Sequence, residues 1–400
     1  MANTNGWHFF MNPGPTNIPD RVLRAMDRGT LDFTGAAFKA ISDECFAGLQ
    51  SIFKTKQPIL GYASTGHGAW EAALVNLFSP GDKVLVAESG YFSMNWGLRA
   101  ESFGLRVETL ANDWRRPVDP AKLEARLRDD KAHEIKAVLA VHNETSTGVC
   151  HPIAAMRKAI DAAQHPALFC VDTISSLGSF DFRMDEWGVD VTVVGSQKGL
   201  MLPTGMAFTG VSAKAIAANA VATLPRVYWD WRRLLGGGNP QQGYWNGTIP
   251  VHFFYGLQEA LRMFEEEGLD NVFARHARLA EATRRAVKHW GLDIVCRDAK
   301  YYSPTLTAAI LPDNHNADAF RALALETFNI SYGSSFGALA GKYFRIGHLG
   351  DINDAMLMGA LSVTEMTLAL AGVPHKKGGA QAAMDYLVSA HGRAAKQAAE

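Results

Sequence analysis

The sequence predicts an α/β fold: a mostly parallel sheet in a large domain, followed by a smaller α+β domain. Three observations carry this. Short strand-like runs (Lys83–Ser89, Leu105–Leu110, Ala137–His142, Leu168–Val171, Val191–Val194) alternate with helical patterns, and Lys83–Ser89 scarcely alternates in polarity, as a strand buried on both faces does. Polar motifs follow the C-terminal ends of these runs, where ligands collect in open parallel sheets. The chain has 400 residues, beyond the roughly 250–300 at which one core stops growing, so two domains are expected. We place the division at residues 21–268 and 269–400, after an extended arm over 1–20.

The elements follow in order. Pro13, Gly14, Pro15 and Pro19 preclude helix or interior strand over residues 12–19, so this stretch should run extended over a surface. Residues 38–53 show helical spacing, and a second helix is marked by Trp70, Ala73, Leu74 and Leu77. Ser64 or Thr65 can cap that helix, which leaves the amides of Gly66 and His67 at its positive end. Such an end suits a phosphate, although an ordinary capped helix reads the same way. Helices at Asp119–Arg128 and Ile153–Gln164 connect strands and imply right-handed crossovers. Gly205–Ser212 returns as a strand, and residues 224–250 form a long loop dense in aromatics, arginine and glycine, a length usually found at functional sites or interfaces. A long helical pattern from Leu269 to Trp290 leads into the smaller domain, with strands at Leu306–Leu311 and Tyr343–Ile346 and helices at Ala317–Thr327 and Ala355–Leu370.

Composition narrows the function. With 48% apolar and 20% charged residues the chain is an ordinary soluble globular protein, and its net charge of −1 argues against a nucleic-acid surface. Cys45, Cys150, Cys170 and Cys296 lie far apart without C-x-x-C, so they read as free thiols rather than a disulfide or metal framework. No window has the ~18 apolar residues of a membrane span. The first dozen residues contain no Lys or Arg, so neither a secretory signal nor a transit peptide is expected, and the cytoplasm is the default location.

The chemistry centres on two strand ends. One run ends in Asp172 and the next in Gly195-Ser196-Gln197-Lys198. A lysine at a buried strand end can lose its proton by desolvation and condense with an aldehyde. A carboxylate opposite a pyridine nitrogen keeps it protonated and makes the ring an electron sink, so the pair suits pyridoxal phosphate. Taken singly, the aspartate reads equally as a turn cap and the lysine motif as a loop. Later, strand alternation should send Phe344 and Ile346 to one face and Arg345 to the other, where its guanidinium can fork onto a carboxylate.

Asn12-Pro-Gly-Pro-Thr-Asn-Ile-Pro19, His142-Asn-Glu-Thr-Ser-Thr-Gly148, Gly195-Ser-Gln-Lys-Gly-Leu-Met-Leu-Pro203 and Phe344-Arg-Ile-Gly-His348 together resemble the class V aminotransferases of fold type I. The serine–glyoxylate and alanine–glyoxylate enzymes are the most similar. The resemblance runs from about Pro13 to Ala371 and implies a seven-stranded, mostly parallel sheet and an aminotransferase dependent on pyridoxal phosphate. It assigns Lys198 and Asp172 to catalysis. Thr65, Gly66, His67, Phe92 (stacked on the ring), Thr145, Gln197, Tyr244 and Thr248 fall at cofactor positions, the last two reaching the neighbouring subunit of a homodimer. Arg345 becomes the anchor for the substrate carboxylate. The expected partners are an amino donor of the serine, alanine or aspartate class and a 2-oxoacid, glyoxylate first; the alternative is a different, larger or less polar donor with pyruvate as acceptor. The N-terminal arm is expected to cross the dimer and approach the active site.

Competing readings fit less well. Desulfurases on this scaffold resemble S-H-K at the lysine and carry a mobile cysteine near the late arginine; here Gln197 precedes Lys198 and residues 331–345 hold no cysteine. A nicotinamide site lacks its G-x-G-x-x-G. A non-catalytic scaffold would not need Asp172, Lys198 and Arg345 together. The sequence departs from the resembled enzymes at Asp32-Phe33-Thr34-Gly35, where they show Asp-His-Arg-Ser, which makes Phe33 a candidate determinant of the donor. It departs again at Tyr244-Trp-Asn-Gly-Thr-Ile-Pro250 and at Phe92, where the alanine–glyoxylate enzymes carry tryptophan.

Overall fold

The computed structural model describes residues 6–237 and 245–399. Seven strands form the large sheet in the spatial order Ile59–Ser64, Gly205–Val211, Val191–Gly195, Leu168–Asp172, Ile135–Val141, Lys83–Ala87 and Arg106–Leu110. Neighbours are parallel except Gly205–Val211, which runs antiparallel to both strands beside it. Every residue of Leu168–Asp172 and Val191–Gly195 is buried, as their unbroken apolar sequences require when helices cover both faces. One core lies between the sheet and the helices Ala36–Phe53 and Val251–Glu267; a second lies on the opposite face beneath Gly66–Leu77 and Tyr91–Ser102.

The smaller domain carries an antiparallel sheet of Asp293–Ile294, Leu306–Ile310 and Tyr343–Gly347. Its core packs the helices Leu269–His289, Ala317–Phe328, Asp354–Leu370 and Gly379–Ala399. Gly268, with a φ of 78°, breaks the helical path between Val251–Glu267 and Leu269–His289.

Four elements differ from the sequence reading. Ile59–Ser64 is an edge strand that the glycine-rich run after it conceals. Tyr91 and Phe92 open a helix that the sequence pattern does not mark, and the buried Glu144 carboxylate accepts from the amides of Phe92 (3.2 Å) and Ser93 (3.0 Å) and so caps its first turn. The 224–250 segment is partly core: Trp231 is wholly buried and donates its indole N–H to the Tyr62 hydroxyl at 2.7 Å, and Trp245 is buried against Gly61. The N-terminal arm is not a surface strap. Phe9–Met11 pairs in parallel with Ile330–Tyr332 of the smaller domain, and the following residues run between the domains to the catalytic lysine candidate of their own chain.

Candidate active site

The C-terminal ends of the parallel strands open on a cavity of about 270 Å³, lined by residues of both the sheet and the N-terminal arm. Leu168–Asp172 delivers Asp172, and Val191–Gly195 leads into the turn that delivers Gln197 and Lys198; both strands are fixed by their ladders to the sheet's centre. Asp172 is only 4% and Lys198 only 8% exposed, so each ionises against a desolvation cost. Burial raises the Asp172 carboxyl to about 7 against the pull of the Ile174 amide, and the Glu144 charge adds to the rise. Burial lowers the Lys198 amine to about 7, the Arg345 charge adds to the fall, and Asp172 opposes it. A neutral amine is therefore accessible near pH 7, as condensation with a carbonyl requires.

Each group is held in place. Asp172 Oδ2 accepts from Trp70 Nε1 at 2.9 Å, and Oδ1 accepts from the Ile174 amide at 2.6 Å. Trp70 sits one helical turn beyond Gly66, stacks on Trp96 at 5.7 Å and meets the His67 ring edge-on at 4.7 Å. The sequence reading took Trp70 only as a helix-core residue; its position on the helix that opens the candidate phosphate cradle is the one signal that it also touches Asp172. Lys198 Nζ donates to the Pro13 carbonyl at 2.6 Å, while the Thr16 amide and hydroxyl donate to the carbonyls of Gln197 and Lys198. Gly14 has φ 138°, and a Cβ there would lie 1.9 Å from Lys198 Nζ, so only glycine lets the arm close over the amine.

Most of the residues named from sequence meet here. Gly66, His67, Phe92, Thr145, Asp172, Gln197 and Lys198 all line the cavity, joined by Gly14, Pro15, Trp70, Val141, Asn143, Ile174 and Thr204. Gly66 and His67 are the first residues of their helix, so their amides have no intrahelical acceptor. Gln197 Oε1 is buried without a partner among the described residues. The Thr145 hydroxyl donates to Ser175 Oγ at 2.6 Å. Burial, with Arg99 and Lys198 nearby, lowers the His67 pKa and keeps its ring neutral.

Other named residues stand apart. Thr65 occupies the N-cap position, but its side chain makes no cap bond and is exposed. Thr248 is exposed and outside the cavity, and Tyr244 lies outside the described residues. Phe33 packs on the core of the large domain and does not line the cavity of its own chain.

Arg345 borders the site from the smaller domain. Phe344 and Ile346 enter that domain's core as alternation requires, and Arg345 points the other way. Its Nη1 donates to the Thr145 carbonyl at 2.8 Å and its Nε to the Ser334 carbonyl at 2.6 Å. Arg345 is 7% exposed, and burial lowers its pKa to about 10. No carboxylate of the described residues pairs with it, so a buried guanidinium keeps donors for an incoming anion.

An amine that can be neutral, a buried carboxylate, free amides at a helix N-terminus and an unpaired arginine fit pyridoxal phosphate together with an amino-acid carboxylate. Residues 8–348 match the family described as aminotransferase class-V. The chain belongs to the class V aminotransferases. It is an aminotransferase that depends on pyridoxal phosphate, and the family match together with Asp172, Lys198 and Arg345 sets aside the non-catalytic scaffold. It is 44% identical over 389 residues to the L-aspartate–glyoxylate aminotransferase of Paracoccus denitrificans, covering 97% of this chain and 98% of that one. It is 45% identical over 387 residues to the serine–glyoxylate aminotransferase of Methylorubrum extorquens, covering 95% and 96%. Among solved structures, the ureidoglycine–glyoxylate aminotransferase of Bacillus subtilis superposes with a TM-score of 0.88 at 30% identity, covering 96% and 99%. No described helix is long and apolar enough to cross a membrane.

Proposed function

We propose that this aminotransferase moves an amino group from a small amino acid of the serine, alanine or aspartate class to glyoxylate, and that it works as a cytoplasmic homodimer with shared active sites. The observation that carries the reading is the buried Arg345 guanidinium without a carboxylate partner, beside a cavity whose lysine can be neutral. Donor and acceptor both bring a carboxylate, and one clamp serves both half-reactions. All three relatives named above are glyoxylate enzymes, which supports glyoxylate over pyruvate as acceptor.

Bound pyridoxal phosphate supplies an aldehyde that accepts amines and a ring that spreads negative charge from the α-carbon. Gly66 and His67, whose amides are free at the helix N-terminus, would hold its phosphate together with Gln197. Asp172, oriented by Trp70, would keep the ring nitrogen protonated, and Phe92 and Thr145, which line the same cavity, would hold the ring. Lys198 would hold the aldehyde through its amine and, with that amine free, would accept the donor's α-proton and give it up again, as its pKa of about 7 allows. Arg345 sets the orientation in which the α-proton meets Lys198.

Phe33 and Thr248 do not reach the cavity of their own chain, which favours an assembly in which they, with Tyr244, complete a neighbour's site. The four free cysteines, three of them buried, suit a reducing cytoplasm. The test is glycine formation from glyoxylate with serine, alanine or aspartate as donor. Glycine with at least one donor supports the reading, and turnover with pyruvate but not glyoxylate contradicts it.

A further inference from the structure

Phe336, which no motif singles out, stands between Arg345 and Phe92. Its ring lies under the Arg345 guanidinium, with Cζ 4.9 Å from the ring centroid. The same ring stacks on Tyr91 at 4.7 Å and 25° and meets Phe92 edge-on at 5.8 Å. One side chain from the smaller domain thus touches both the carboxylate anchor and the aromatic wall carried by the large domain.

The ring is pinned from several sides. The Phe336 amide donates to the Tyr343 hydroxyl at 3.0 Å, and that hydroxyl donates to the Ser146 carbonyl at 2.5 Å. Gly337 has φ 62° and lies against the Trp114 indole, where a Cβ would come within 2.2 Å of a ring carbon. Trp114 in turn donates to Glu88 at 2.8 Å. Neither domain can shift near this point without disturbing the ring.

We propose that Phe336 is the specificity-determining residue for the size of the donor side chain. Phe336 does not line the cavity itself but stands between Phe92 on its wall and Arg345 at its border, so the side chain of a donor held by Arg345 and reacting beside Phe92 runs against this ring, which limits its size. The inference rests on the aminotransferase reading above and deepens it. Cutting the ring back to alanine opens the space; leucine keeps the wall apolar while shortening it.

The test compares wild type with Phe336→Ala and Phe336→Leu as holoenzymes. The first readout is the ratio of kcat/KM for leucine to that for alanine with glyoxylate, expected to rise by about tenfold or more in Phe336→Ala and by less in Phe336→Leu, since a few methylenes set discrimination of this order. The second is calorimetric binding of hexanoate relative to propionate, expected to move in the same direction. A proportional loss for all ligands, with both ratios unchanged, would mean that Phe336 serves structure alone and overturns the proposal. Absence of glycine from every donor in wild type would refute the glyoxylate reading instead, and the binding ratio would still decide the role of Phe336.

Discussion

The two sides of the active site are built differently. On one side, Asp172 ends one central strand and Gln197 and Lys198 follow the next, every residue of both strands is buried, and the sheet ladder fixes them. On the other, Pro13, Gly14, Phe336 and Arg345 come from the arm and the smaller domain, and each is held by contacts across the domain boundary. The sheet side provides reactive groups that do not depend on domain position. The arm and smaller-domain side decides which substrates meet those groups, and small backbone changes should disturb it.

Substitutions sharpen this contrast. The largest effect belongs to the sheet side: Lys198→Ala removes the proposed tether and proton carrier, and should lower kcat by about 10³-fold or more while leaving the fold intact. Steady-state rates alongside circular dichroism check this. Gly14→Ala tests the other side. Its Cβ would collide with Lys198 Nζ, so the arm should lift and kcat/KM fall by about tenfold or more with thermal stability nearly kept, the reverse of what a core lesion gives.

The buried pair also predicts a pH signature in the cofactor-free protein. Lys198 titrates at about 7 in the folded chain against 10.5 ordinarily, so the unfolded chain binds more protons between those values and stability rises with pH across that window. Asp172 titrates at about 7 against 3.8, so its contribution is complete below pH 3.8 and is lost as pH rises through 7. Thermal melts of Lys198→Met should lose much of the rise between pH 7 and 10, and Asp172→Asn should flatten the fall between pH 4 and 7. The smallest expected effect is Phe33→His. If this residue acts only on a neighbouring subunit's substrate, the ranking of serine, alanine and aspartate should change by a few-fold with the reaction itself retained, measured as relative kcat/KM.

The sheet side was also the legible one. A run such as Val191–Gly195 marks a buried strand by composition alone, and in a parallel sheet its C-terminal end is where ligands bind, so Lys198 could be placed from local sequence. Alternation was enough to turn Arg345 away from Phe344 and Ile346. The arm's approach to the active site was legible only through the resemblance, because nothing in Pro13-Gly14-Pro15 itself says that Lys198 lies beneath it; that contact spans 185 residues. Phe336 was silent for the same reason, being one phenylalanine among 21 until tertiary packing sets it on Arg345 and Tyr91. Trp70 was hidden by its own helix, where an apolar periodic position and a hydrogen-bond donor to Asp172 look identical in sequence.

The most direct test of the central claim is to reduce the purified holoenzyme with borohydride and map the cofactor mass onto its peptides. The account predicts a visible absorbance band that reduction abolishes, with the added mass on the peptide carrying Lys198 and absent from Lys198→Ala. A band that survives reduction, or mass on a different lysine, would contradict it.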